Sequence, residues 1–252
     1  MKVSFLLIIL LLASTAAEAQ RRGASAARPQ RTTAVRAPEI GKNAVVIDET
    51  LSVLRDKPSL FGNAIQRMRR GRTVKIMSVA EADGVRFYRV SAPPTNSGWV
   101  QADAVFGSFR PDDEERLARL VQASRGFEQV EAATHFFQMY PASRFRPAIL
   151  LLFGDILEDT AGRLTREATT RLDRREMAAS AAPLHSYYLN YVGLDRYRRL
   201  GITFVFNSST VLFHYDGHSW KEIVSKFAGS PEAEEAKKRL ESLREKLDRK
   251  AK

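Results

Sequence analysis

The chain has 252 residues, a formal net charge of +11 at pH 7 and no cysteine. At 44% hydrophobic and 27% charged residues it has the make-up of ordinary globular material. The lack of cysteine excludes a thiol nucleophile and a lipid anchor attached through a cysteine.

The N-terminus has the three-part layout of a secretory signal. Lys2 supplies a positive start, Phe5 to Ala13 is an unbroken apolar run, and Ala17-Glu18-Ala19 is a small-x-small cleavage pattern. Such a run is too short for a spanning helix, which needs about 20 residues. Residues 1–19 are expected to be a cleavable signal peptide, with the mature chain starting at Gln20, free of transmembrane segments, and residing in the periplasm or secreted. Exported domains without disulfides point to a bacterial source.

Residues 20–42 hold six basic residues (Arg21, Arg22, Arg28, Arg31, Arg36 and Lys42) against the single acid Glu39, with no periodic apolar pattern. This segment is expected to be a disordered basic tail, able to make peripheral contact with an anionic surface. Charge concentrated on a tail of an exported chain argues against nucleic acid as a partner.

From residue 43 short β-type runs follow one another. Val45-Val46-Ile47 is apolar, Val74 and Ile76 alternate with Thr73 and Lys75, and Asp83-Gly84 is a hairpin turn leading into Phe87-Tyr88-Arg89-Val90. Gly98-Trp99-Val100 begins another strand. Leu51-Ser52-Val53-Leu54-Arg55-Asp56-Lys57-Pro58, then Gly71 to Ile76, then Tyr88-Arg89-Val90, then Gly98-Trp99-Val100 resemble, in order and spacing, a bacterial SH3-like domain. The extra Leu54 departs from that pattern. The resemblance covers about 43–107 and implies a small β-barrel over 43–109 that binds a peptide or a cell-wall component.

Past Pro111 the spacing becomes helical. Asp112-Asp113-Glu114-Glu115 is an acidic opening suited to a helix N-terminus and is expected to be solvated. Leu117, Leu120 and Val121 share a face; a second helix after Gly126 carries Val130, Ala133, Phe136, Phe137 and Tyr140 and stops at Pro141. A third is expected from Pro147 to Leu157, others over about 163–179 and 184–199, and a β-hairpin over about 202–215 that covers an apolar helix face. The helix pair recurs near the C-terminus at an offset of 87 residues, Phe136-Phe137 mapping to Ile223-Val224, Tyr140 to Phe227 and Ser143 to Ser230. Phe137-Gln138-Met139-Tyr140-Pro141-Ala142-Ser143 is similar to the repeat kernel of tetratricopeptide-like proteins of bacterial envelopes, although Ala228 stands where the second copy should have proline. The resemblance implies a surface for a protein partner.

The expected fold class is therefore α+β in two domains: an SH3-like β-barrel, then an all-α tetratricopeptide-like domain over 110–252 with an inserted β-hairpin. Candidate binding residues are the aromatics Tyr88 and Trp99, which combine a ring face with a polar tip, and the arginines Arg67, Arg69, Arg70 and Arg72 around Gly71, a cationic turn fit for an anionic polymer. No catalytic or metal-binding residue is assigned and no cofactor is expected. A Gly-x-Ser-x-Gly elbow, a His-Glu-x-x-His helix and a P-loop are all missing, and His214 and His218, four apart, straddle a strand end and a helix start rather than one helix face. Asp216 reads as an N-cap. The expected function is a non-enzymatic binding or scaffold protein of the bacterial envelope, partnered by an envelope protein or a cell-wall component. The alternative is an envelope hydrolase that attacks cell-wall glycan through paired carboxylates.

Overall fold

The computed structural model describes residues 37–93 and 96–249. The expected signal peptide and residues 20–36 of the expected tail lie outside those residues. Residues 37–42, read from sequence as part of the tail, form a turn docked on the sheet. Gly41 N–H donates to Ile76 O at 2.7 Å and Ile76 N–H donates to Lys42 O at 2.9 Å. Glu39 is the one acid of the segment, and its buried carboxylate meets Arg86 at 3.1 Å. Nothing in the basic composition of the segment signals this contact, which a single residue makes.

Seven antiparallel strands curl into a half-barrel: β1 (Asn43–Val46), β2 (Val53–Arg55), β3 (Ala64–Arg67), β4 (Thr73–Ala82), β5 (Val85–Ala92), β6 (Asn96–Gln101) and β7 (Val105–Phe106). Their order is β3-β2-β6-β5-β4-β1-β7, which leaves β3 and β7 at the two edges. The β4–β5 hairpin turns at Asp83 and Gly84, both with positive φ (53° and 72°), the geometry that makes Asp-Gly a hairpin signal. Strand alternation sends Val74 and Ile76 inward and Thr73, Lys75 and Met77 outward. The sheet core is closed by Leu54, Met68, Tyr88, Val90 and Val100.

The remainder is mostly helical: α1 (Asp113–Ala123), α2 (Gly126–Met139), α3 (Arg146–Arg171), α4 (Arg174–Ser180), α5 (Leu184–Leu189), α6 (Asp195–Arg198), α7 (His218–Lys226) and α8 (Glu232–Asp248). A two-stranded hairpin, β8 (Phe204–Asn207) and β9 (Leu212–Tyr215), separates α6 from α7. Three helix boundaries differ from the sequence reading, the helix expected over about 163–179 being divided between α3 and α4. Helix α3 does not stop at residue 157 but continues to Arg171. Gly162 costs about 1 kcal/mol in a helix interior, and the continuous buried stripe Leu157, Ala161, Leu164 and Ala168 more than offsets it. The span 184–199, expected as one helix, breaks into α5, a 3-10 turn over Val192–Leu194 and α6. Gly193 has the Tyr191 ring folded onto it; a Cβ there would lie 2.4 Å from that ring.

Both hairpins of the 87-residue repeat form. Helix α2 ends at Met139 and α7 at Lys226, and each is followed after a short loop by a longer helix, α3 or α8. The matched residues Phe136 and Ile223 are fully buried, as are Ile149 and Ala236. Helix α3 packs against α7, α8 and strand β9, so the β-hairpin covers the C-terminal half of α3.

Sheet and helices meet through packed contacts. Ile47 and Phe106, from the sheet side, belong to the apolar cluster of the helices. Asp113 is fully buried, contrary to the expected solvated acidic opening, because Arg110 Nε (2.8 Å), Arg116 Nη1 (2.7 Å) and the Gly107 N–H (2.9 Å) all converge on its carboxylate. Its neighbours Asp112, Glu114 and Glu115 stay at the surface or partly so.

Candidate functional site

The six residues singled out in the sequence separate into different roles. Tyr88 is completely buried on β5, with its hydroxyl 3.5 Å from Glu39 and the Arg110 guanidinium over its ring, so it cannot present a face to a ligand. Burial raises its phenol above the usual value. Trp99 on β6 is half-buried, opposite Arg89 and Arg55. Three of the four arginines serve the fold. Arg67 donates to Glu49 O (2.5 Å) and Thr50 O (2.8 Å), pinning the β1–β2 loop. Arg72 donates to Pro93 O. Arg70 reaches from the sheet to α2: its Nε donates to Ile47 O at 2.7 Å, and Nη1 meets Glu128 O (3.0 Å) and the Glu131 carboxylate (3.4 Å). Only Arg69 of the four is exposed with no side-chain bond among the described residues. The cationic turn is thus largely a set of structural clamps.

A better-formed site lies in the helical part. A cleft of about 470 Å³ opens between α2, α3, the α6–β8 turn and the first turn of α7. Its floor is apolar: Leu150 and Phe153 from α3, Ile202 after α6, and Tyr215 at the end of β9, all buried. Phe137 from α2 forms one wall and meets Phe153 edge to face, ring centres 5.3 Å apart. The rim is polar and exposed, with Gln138, Thr203 and His218.

Local chemistry shapes each wall. Gly201 takes a positive φ of 76°, which lets the chain reverse from α6 into β8. Asp216 stands one residue ahead of the cap position taken by Gly217, and its Oδ1 accepts the His218 N–H at 2.9 Å, starting α7. The Tyr215 hydroxyl accepts the Ser219 N–H at 2.8 Å, and burial pushes its phenol up to about 12. Across the cleft Arg146 forks onto Glu222 Oε1 at 3.0 and 2.8 Å, with its guanidinium over the Phe137 ring. This pair is largely buried and joins α3 to α7.

The two carboxylates in the cleft, Asp216 and Glu222, are thus both hydrogen-bonded to the chain itself. His214 and His218 do not converge: His214 is buried against Glu158 at 3.0 Å, and His218 sits on the cleft rim. Among the described residues no group of three His, Asp or Glu side chains is placed to hold a metal. The arrangement suits the capture of an apolar side chain flanked by polar groups.

No family model, curated protein or solved structure matches this chain.

The cleft draws on four separated stretches, 134–138, 150–153, 200–203 and 215–222. No local spacing encodes it.

Proposed function

We propose that this chain is a non-enzymatic binding protein of the bacterial envelope, exported by its N-terminal signal, with the cleft between α2, α3 and α7 as the seat for a protein partner. The observation that carries this reading is the cleft itself: an apolar floor large enough for one or two side chains, ringed by hydrogen-bonding groups such as Gln138 and Thr203. The antiparallel curled sheet and its Asp-Gly hairpin support the SH3-like reading of 43–107. The paired hairpins support the tetratricopeptide-like reading of the helical part. On the sheet, ligand contact falls to Trp99 and Arg69, since Tyr88 is in the core. Leu60, Phe61 and Ile65 are further exposed apolar side chains of the sheet region.

The hydrolase alternative draws on Asp216 and Glu222 lining one cleft. Against it, Glu222 is held by Arg146 and Asp216 by the α7 backbone, leaving neither poised to activate water. Envelope extract passed over immobilised wild-type protein and over Thr203→Trp, which fills the cleft mouth, tests the reading. A partner retained by the wild type and lost by the variant is expected. A lytic zone in a cell-wall gel assay would establish the hydrolase instead.

A further inference from the structure

A second cavity, of about 530 Å³, lies between the C-terminal half of α3 and residues 191–199. It shares no lining residue with the cleft. Arg171, Arg196 and Arg199 line it, and none of the three is in an ion pair among the described residues. Two acids line it as well, but Asp195 is engaged by Arg198 at 3.3 Å, so Glu167 is the one uncommitted carboxylate. Tyr191 forms part of the wall; it is 4% exposed, and its buried hydroxyl has no hydrogen-bond partner among the described residues. An unpaired buried hydroxyl costs on the order of 1–3 kcal/mol. Its ring is fixed over Gly193, where a Cβ would come within 2.4 Å.

We infer that this cavity binds a phosphoryl oxyanion. Three guanidiniums against one free carboxylate leave two positive charges, which match the roughly −1.5 to −2 of a phosphate monoester near neutral pH. Guanidinium forks fit tetrahedral oxyanions better than ammonium groups do, and residues 163–199 hold eight arginines, four acids and no lysine. Arg196 is pre-oriented by its stacking over Phe127 (4.8 Å) and Tyr197 (5.0 Å), which lowers the ordering cost of binding. The surrounding arginines steer an anion towards the mouth. The phosphoryl group can arrive as a free phosphate or on a lipid headgroup.

Calorimetric titration of the whole protein with inorganic phosphate tests this. Saturable binding is expected with a Kd of about 1 mM or tighter. Arg171→Ala and Arg199→Ala should each weaken it about tenfold, the scale of a charge-assisted contact. Tyr191→Phe removes only the buried hydroxyl, keeps the ring on Gly193, and should leave phosphate binding unchanged while the melting temperature rises. Lys238→Ala, on exposed α8 outside the cavity, should change nothing. Sedimentation with phosphatidate-containing vesicles, competed by inorganic phosphate, identifies a headgroup as the source; phosphate binding without vesicle binding identifies a soluble one. Absence of saturable phosphate binding, or binding that the Arg171 and Arg199 variants leave unaltered, overturns the proposal. Vesicle binding that phosphate does not compete, without affinity for phosphate itself, overturns it too.

Discussion

The imidazole Nδ1 of His214 lies 3.0 Å from Glu158 Oε1, and the same carboxylate oxygen accepts Lys246 Nζ at 2.8 Å. The other oxygen takes the Tyr215 N–H at 2.9 Å. One side chain of α3 thus ties β9 and α8 together at the centre of the helical part.

This arrangement dictates an acid sensitivity. Burial pushes the Glu158 carboxyl up, but the bonds from His214, Lys246 and Tyr215 outweigh it and hold it at about 2, below its ordinary 4.5. A depressed carboxyl contributes stability that is present above about 4.5 and is lost as pH falls toward 2; here the contribution is on the order of 3 kcal/mol. The melting temperature should therefore drop steeply between those values. Glu158→Gln should lower it at pH 7 and flatten the acid limb. An acid limb of the same steepness in the variant would refute the assignment.

Gly154 of α3 faces the Trp220 indole so closely that a Cβ would lie 2.2 Å from Nε1 and 2.7 Å from Ser219 Oγ. Alanine normally favours a helix by about 1 kcal/mol over glycine. Here overpacking should win, and Gly154→Ala should destabilise by roughly 1–3 kcal/mol in urea unfolding. Gly162→Ala, where the nearest heavy atom is the far end of Arg166 at 3.7 Å, should instead stabilise. Equal signs for the two substitutions would contradict the packing described.

The sheet–helix junction rests on Asp113, buried beneath Arg110 and Arg116. Asp113→Ala leaves two guanidiniums facing a void and should cost about 3–5 kcal/mol. Arg70→Ala removes the clamp from sheet to α2 and should cost about 1–3 kcal/mol. Chemical denaturation of the two variants checks both values; a loss near zero for Asp113→Ala would mean that sheet and helices are not coupled through that carboxylate.

How legible the molecule was depends on whether the signal was local. Asp83-Gly84, the Val74 and Ile76 alternation and the Phe136-Phe137 face are short-range patterns, and strands and helices stand where they pointed. The continuity of α3 was not legible because Gly162 reads as a break, and only the buried face from Leu157 to Ala168 shows why it is not. Strand β3, with little alternation and an exposed Ile65, gave no periodic cue. Only side-chain type points to Tyr88 and the arginines around Gly71 as binding residues. Their partners, Glu39, Glu49, Thr50, Pro93, Glu128 and Glu131, lie 17 to 61 positions away, beyond any local pattern. The cleft was invisible for the same reason.

The proposed seat for a partner is the cleft between α2, α3 and α7. A photoreactive residue placed at Gln138 or Thr203 on its rim, and at exposed Lys238 on α8 as a control, tests it in cells that export the protein. On this account irradiation gives a discrete covalent adduct from both rim positions and none from Lys238, and Phe153→Glu on the cleft floor abolishes the adducts. No adduct from either rim position, or one from Lys238 alone, would contradict it.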